Sequence, residues 1–207
     1  MKKSISGTRF IFPIFAAVIL AKATLLQAGT DPWASSYALE TDGQYQPAAA
    51  LMVPLLEKSD THEMALLRYA WLNYLQGNFN DAIEGYTTSL KQNPLSLDAQ
   101  LGITLPLMAQ QRWQEAARHA EQVIAESVWN YTAHIRLLVC EEGLHDWSTL
   151  QKHASKLTQR YPSDTSAWVY LARAEIGLDN LEAAKQAYKQ VLIRYPGHIE
   201  AEGFVKR

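Results

Sequence analysis

Repeated helix pairs, and so an all-α fold, are predicted by three observations. The 207 residues include only ten glycines and few runs alternating apolar with polar residues, whereas Ala, Leu, Gln, Glu and Lys recur throughout. The stretch "GNFNDAIEGYTTSLKQNP", residues 77–94, opens on a turn glycine, carries one helix-length amphipathic run and stops at a proline. Its marks also return at a fixed distance: Pro94, Pro162 and Pro196 are separated by 68 and then 34 residues.

The same interval organises the rest of the chain. Tyr45, Phe79, Trp113, Trp147 and Leu181 stand 34 apart, followed three residues later by Ala48, Ala82, Ala116, Leu150 and Ala184. Met52, Tyr86, Ala120, Ala154 and Tyr188 follow, and then Leu55, Ser89, Val123, Leu157 and Val191. One helix face is rewritten five times. This period and its order of small and large residues resemble the tetratricopeptide repeat, a helix pair of 34 residues. Residues 165–198 carry the resemblance most fully, with Trp168, Leu171, Ala172, Ala184, Tyr188 and Pro196, and residues 63–96 follow with Leu66, Ala70, Gly77, Ala82, Tyr86 and Pro94. The resemblance implies a right-handed α-solenoid of five helix pairs in which each unit hides its apolar stripe against the next.

Residues 1–28 read as a separate element. Lys2, Lys3 and Arg9 precede an uncharged stretch from Phe10 to Ala21, the pattern of an export signal, either cleaved after Ala23 or Ala28 or kept as an anchor. The apolar stretch is short beside the roughly 20 residues that span a bilayer. Cleavage would remove four cations and no acid and leave a mildly acidic product. The expected location is the bacterial periplasm or envelope.

The five units are 29–62, 63–96, 97–130, 131–164 and 165–198, and residues 199–207 begin a sixth unit or form a short C-terminal helix. In the first unit Pro32 predicts a short opening helix and Pro54 an interrupted second one. Gly43 and Gly77 occupy the inter-helix turn, whose later equivalents are Gln111, His145 and Asp179. Ser96 and Ser163 or Asp164 are the expected caps of the following helices. Pro106 falls inside the first helix of residues 97–130 and predicts a kink there. Cys140, the single cysteine, sits among Leu137, Leu138 and Val139 and reads as a small buried hydrophobe. Enlarging the packed Ala184 to Leu should cost about 1–3 kcal/mol.

Composition and motifs narrow the function. A net charge of −2, with no basic block outside the N-terminus, disfavours nucleic acid. Catalytic motifs and a glycine-rich phosphate loop are absent, so no enzyme and no cofactor are expected. The densest polar cluster, "CEEGLHD" at 140–146, offers Glu141, His145 and Asp146 to a metal, but it reads as a solvated turn, and His119 and His153 read as residues of the repeat face. The resemblance implies that first helices line a concave face. Its inward positions are Met64, Leu67, Trp71 and Tyr74, then Leu101, Leu105 and Met108, then Ile135 and Val139, then Val169, Arg173 and Ile176. The family's terminal-carboxylate grip needs Lys, Asn or Arg where Leu67 and Trp71 stand, so that grip is not expected. The face is expected to bind an apolar or amphipathic segment of another protein, as an exported scaffold or adaptor for envelope assembly, secretion or polysaccharide export. Tight curvature that buries these side chains between neighbouring helices is the structural alternative. A self-assembling subunit, or the front part of a longer envelope protein, is the alternative function.

Overall fold

The computed structural model describes residues 31–58 and 62–206, and the predicted export signal lies outside the described residues. Within them the chain forms helices and no strands. They are α1 (Pro32–Thr41), α2 (Tyr45–Ala50), a 3-10 turn (Val53–Leu55), α3 (His62–Leu75), α4 (Phe79–Gln92), α5 (Leu97–Ala109), α6 (Trp113–Glu126), α7 (Tyr131–Gly143), α8 (Trp147–Arg160), α9 (Thr165–Gly177), α10 (Leu181–Arg194) and α11 (Ile199–Val205). The second helices of the pairs begin at Tyr45, Phe79, Trp113, Trp147 and Leu181, which are the columns of the sequence period.

Local chemistry sets these boundaries. Gly43, Gly77, Gln111, His145 and Asp179 all have positive φ, between 57° and 79°, and reverse the chain between the helices of each pair. Glycine takes this conformation without strain, and Gln, His and Asp take it singly. A second column caps the first helices. The side chains of Ser96, Asn130, Asp164 and His198 each accept from a backbone N–H in the first turn of α5, α7, α9 and α11. Asp164, rather than Ser163, therefore performs the capping expected near that point.

The helices stack in series. Each packs on its sequence neighbours, while α3 meets α5, α5 meets α7 and α7 meets α9, forming a layer of first helices. The core is accordingly a row of four clusters along the stack. Ala65, Ala99, Ala133, Ala167 and Ala201, again 34 apart, are fully buried, as are Ala82, Ala116 and Ala184 of the second helices. Small side chains let the axes approach, and Tyr86 and Tyr188 fill the space between them.

Glycines admit other aromatic rings. A Cβ on Gly143 would lie 2.5 Å from the Trp113 ring, and one on Gly177 would lie 2.2 Å from the Trp147 ring. Each tryptophan at the head of a second helix thus rests on the end of the next unit's first helix. Gly102 receives the Tyr86 ring in the same way, at 2.3 Å.

The first unit is interrupted at its proline, as expected. Around Pro54, α2 ends after six residues and gives way to the 3-10 turn, and α1 has only ten residues. Pro106 does not end its helix. α5 keeps the 13-residue length of α7 and α9, because the proline lies near the C-terminal end, removes one backbone bond and is fully buried. Cys140 is fully buried, and desolvation pushes its thiol up to about 12, as befits a small core residue.

The solvated turn expected at 140–146 is only half correct. His145 and Asp146 are exposed, but Glu141 is buried at the end of α7. Its carboxylate faces Nδ1 of His153 at 3.0 Å, so it serves the packing between α7 and α8. Among the described residues no three His, Cys, Asp or Glu side chains are gathered for a metal.

Candidate binding groove

The layer of first helices carries the candidate site. At its N-terminal end a cavity of about 650 Å³ is lined by Trp33, Tyr37 and Glu40 of α1, Met64, Leu67, Arg68 and Trp71 of α3, Tyr86 of α4 and Asp98 of α5. The three inward residues of α1 belong to the predicted columns: Trp33, Tyr37 and Glu40 stand one period before Leu67, Trp71 and Tyr74. The inward positions named from the sequence begin at Met64, and extending each column back by 34 residues finds all three.

A polar network floors this cavity. Arg68, only 7% exposed, donates from Nε to the Ser36 hydroxyl at 3.2 Å and from Nη1 to Glu40. Its guanidinium lies over the Tyr37 ring, 3.8 Å from the centroid. The Trp71 indole N–H donates to the other oxygen of Glu40 at 2.7 Å. Burial works against the charge on Glu40, but the bonds from Trp71 and Arg68 outweigh it and hold the carboxyl below its ordinary value. Trp71 is therefore fixed in orientation before anything binds. Burial, with Tyr74 nearby, raises the phenol of Tyr86 far above its usual range, so it stays neutral.

Farther along, the aromatic run continues. The Tyr74 ring lies 5.6 Å from Trp71 and 6.0 Å from Phe79. Arg136 of α7 follows, half-buried, with Tyr74, Cys140 and Tyr170 as its electrostatic neighbours. At the C-terminal end Arg173 of α9 bonds Glu200 of α11 through Nε at 2.9 Å and Nη2 at 2.7 Å, and reaches Glu142 of α7 at 3.3 Å. The bond from Arg173, with that from Tyr188, holds the Glu200 carboxyl below its ordinary value despite partial burial.

The predicted site residues separate into groups. Met64, 62% exposed, stands on the rim of the cavity, and Leu67 and Trp71 line its wall. Tyr74, Leu101, Leu105, Met108, Ile135 and Val139 are half-buried and lie outside the cavity. Of these, Met108 packs on the central cluster and Ile135 on the next. Ile176 is exposed, and Arg173 is engaged by its two glutamates. Val169 needs correction: at 8% exposure it packs with Ala172, Tyr188 and Val191 and belongs to the core, because α10 and α11 close over it.

Comparison with known proteins bears on the fold. Two family profiles, each described as tetratricopeptide repeat, match residues 70–131 and 166–198. No curated protein matches the chain in sequence. Among solved structures, a MamA fragment from Desulfovibrio magneticus RS-1 is similar at TM-score 0.73 and 14% identity, covering 81% of this chain and 95% of its own. YrrB, described as a TPR protein with an unusual peptide-binding site, is similar at TM-score 0.72 and 13% identity, covering 94% and 99%. TTC0263, a thermophilic TPR protein of Thermus thermophilus, is similar at TM-score 0.61 and 16% identity, covering 84% and 95%. At these identities the likeness establishes the fold, and with the two matched segments it makes the chain an all-α solenoid that carries tetratricopeptide repeats.

Proposed function

We propose that the protein is a non-catalytic interaction module whose first-helix layer takes an apolar or amphipathic segment of another protein. The observation that carries this reading is the N-terminal cavity, where Trp33, Tyr37, Leu67 and Trp71 converge with Met64 on the rim. Aromatic side chains held rigid by a hydrogen-bonded floor are the anchors from which binding hot spots are made. The peptide-binding site named for YrrB is in keeping with such a role. The basic and apolar start of the sequence favours export, and the partner is then a protein of the periplasm or envelope, where the module serves as a scaffold. Among the described residues no helix is long and apolar enough to cross a membrane.

The test uses Met64→Glu together with Tyr37→Ala. Both side chains are exposed, so the fold should survive, as circular dichroism would check, whereas replacing Trp71 would also break its bond to Glu40. Envelope proteins retained by the natural protein should be lost by the double variant. Retention of the same proteins by both would remove the cavity from consideration.

A second reading, self-association, has its own observation. Ile193 and Ile199 are 71% and 88% exposed at the C-terminal end of the stack. A light-scattering mass equal to one chain across a wide concentration range would exclude it.

A further inference from the structure

We propose that the outer face of α8 and α10 is a basic landing surface that adsorbs onto an anionic lipid bilayer. This goes beyond the groove reading and uses the other layer of the stack.

The first helices pack on one another, whereas the second helices pack chiefly on first helices, so α4, α6, α8 and α10 form the outer row. Charge divides that row. α4 and α6 carry five acids and two bases, a net of −3, whereas α8 and α10 carry six bases and one acid, Glu182, a net of +5. The exchange occurs within columns of the repeat: Glu84, Glu121 and Glu126 stand whole periods before Lys152, Lys189 and Arg160. All six are exposed, so packing does not select their sign. Among the described residues none of Lys152, Lys156, Arg160 and Lys189 is paired with an acid. Asp146 and Asp179 lie before the two helices begin, a helix length away from Arg160 and Arg194.

Apolar side chains are set among these cations. Lys156 and Arg160 lie 5.3 and 5.1 Å from the centre of the Trp129 ring, whose neighbour Val128 is exposed. Ile193 shares a face of α10 with Lys189, one turn earlier, and is also exposed. A soluble polyanion would engage the cations and gain nothing from Val128 or Ile193. A bilayer uses both kinds of side chain, because Lys and Arg meet the headgroup phosphates while rings and aliphatic groups enter the boundary with the acyl chains. That combination commits the face to lipid.

Sedimentation of the full chain with phosphatidylcholine vesicles, with and without phosphatidylglycerol, tests this. The natural protein should bind the anionic vesicles far more tightly, and the neutral ones read what the N-terminal segment contributes. Lys152→Gln with Lys189→Gln should lower the anionic partition roughly 25-fold, about fivefold for each cation near the charged surface. Lys91→Gln with Arg118→Gln changes the net charge equally on the acidic half and should leave the partition within about twofold. All four side chains are exposed, so folding is not at stake. Because Cys140 is buried, an environment-sensitive dye on Ile193→Cys reports that position alone, and its emission should shift to the blue on anionic vesicles only. Equal loss from both pairs of substitutions, or no preference for phosphatidylglycerol, overturns the inference. Loss from the basic pair without a blue shift at residue 193 overturns the lipid assignment and gives the face to soluble polyanions. A blue shift before vesicles are added, with a light-scattering mass above one chain, gives it instead to the acidic half of a second copy. The groove variant Met64→Glu with Tyr37→Ala should bind vesicles as the natural protein does, so the two proposals fail separately.

Discussion

Both ends of the groove join neighbouring first helices through an arginine and glutamate, but the two joints differ in surroundings. At the N-terminal end Arg68 reaches from α3 to Glu40 with side-chain exposures of 6% and 23%, beneath an aromatic cavity. At the C-terminal end Arg173 lies between Glu142 and Glu200, with all three side chains 30–36% exposed. The first pair sits where the unit is least regular, with helices of ten and six residues against 13 and 14 in the later pairs. The buried cation there requires the carboxylate. The C-terminal joint lies over a complete pair, where water shares the work.

The largest expected effect sharpens this difference. Glu40→Gln removes the charge that compensates a buried guanidinium and should cost about 3 kcal/mol, the lower end for breaking a buried pair. Urea unfolding at neutral pH measures it. A loss under about 1 kcal/mol would mean that water reaches Arg68 and that the two joints are alike.

Next in size is the glycine seat of the regular stack. Gly177→Ala places a methyl 2.2 Å from the Trp147 ring. Overpacking of about 1–3 kcal/mol should exceed the gain in helix propensity of under about 1 kcal/mol. Gly203→Ala in α11, with nothing within 4 Å, should be neutral or slightly stabilising. Equal melting temperatures for the two variants would show that the ring moves aside and that the seat is soft.

These contrasts also mark what the sequence could reveal. The period located every second-helix start, because rings and small residues must recur wherever identical interfaces recur. It also identified the positive-φ column, although three of its five members are not glycine. The cap column was half visible: Asn130 follows Val128, where three of the other four units place proline, so the turn before it lacked its usual sign. The groove was the harder part. Met64, Leu67 and Trp71 were found in their columns, but Val169 lies in the same column as Leu67 and is buried, since closure by α10 and α11 is a tertiary effect that periodicity does not carry. Arg68 and Arg136 stand two periods apart, one paired and one not, and the difference lies in α1, which supplies Glu40 to the first.

A smaller effect is expected at the C-terminal joint. Glu200→Gln keeps one acceptor oxygen for Tyr188 and Arg173 Nε, and removes the charge and the acceptor opposite Arg173 Nη2. The cost should stay below about 1 kcal/mol and shrink further in about 1 M salt, where the Debye length is near 3 Å. Urea midpoints of the natural protein and the variant, compared at low and high salt, would show it. A salt-independent loss near 3 kcal/mol would erase the distinction between the two ends.

The smallest expected effect concerns two interior columns that hold the same contact with different chemistry. Gln100 meets His119 between α5 and α6, and one period later His134 meets His153 between α7 and α8 at 2.8 Å. The His134 ring also reaches the Val128 carbonyl through Nε2 at 2.9 Å, so Nε2–H donates there, and Nδ1 faces Nε2 of His153, whose own Nδ1 faces the Glu141 carboxylate. Burial lowers the pKa of His134, the carbonyl of Val128 partly opposes this, and His153 and Lys156 add to the lowering. Arg160 over the neighbouring Trp129 ring is a further cation on that side. The unfolded chain therefore binds a proton at about pH 6.5 that the folded chain still refuses. The stability this histidine contributes is complete above that pH and is lost as pH falls from it toward the folded value. His134→Gln places in this column the residue that column 100 already uses, and it should flatten the fall in urea midpoint between about pH 7.5 and 5.5 while changing the midpoint at pH 7.5 little. A fall of equal steepness in the variant would assign the acid sensitivity to His119, whose pKa is lowered first by burial and then by Arg118.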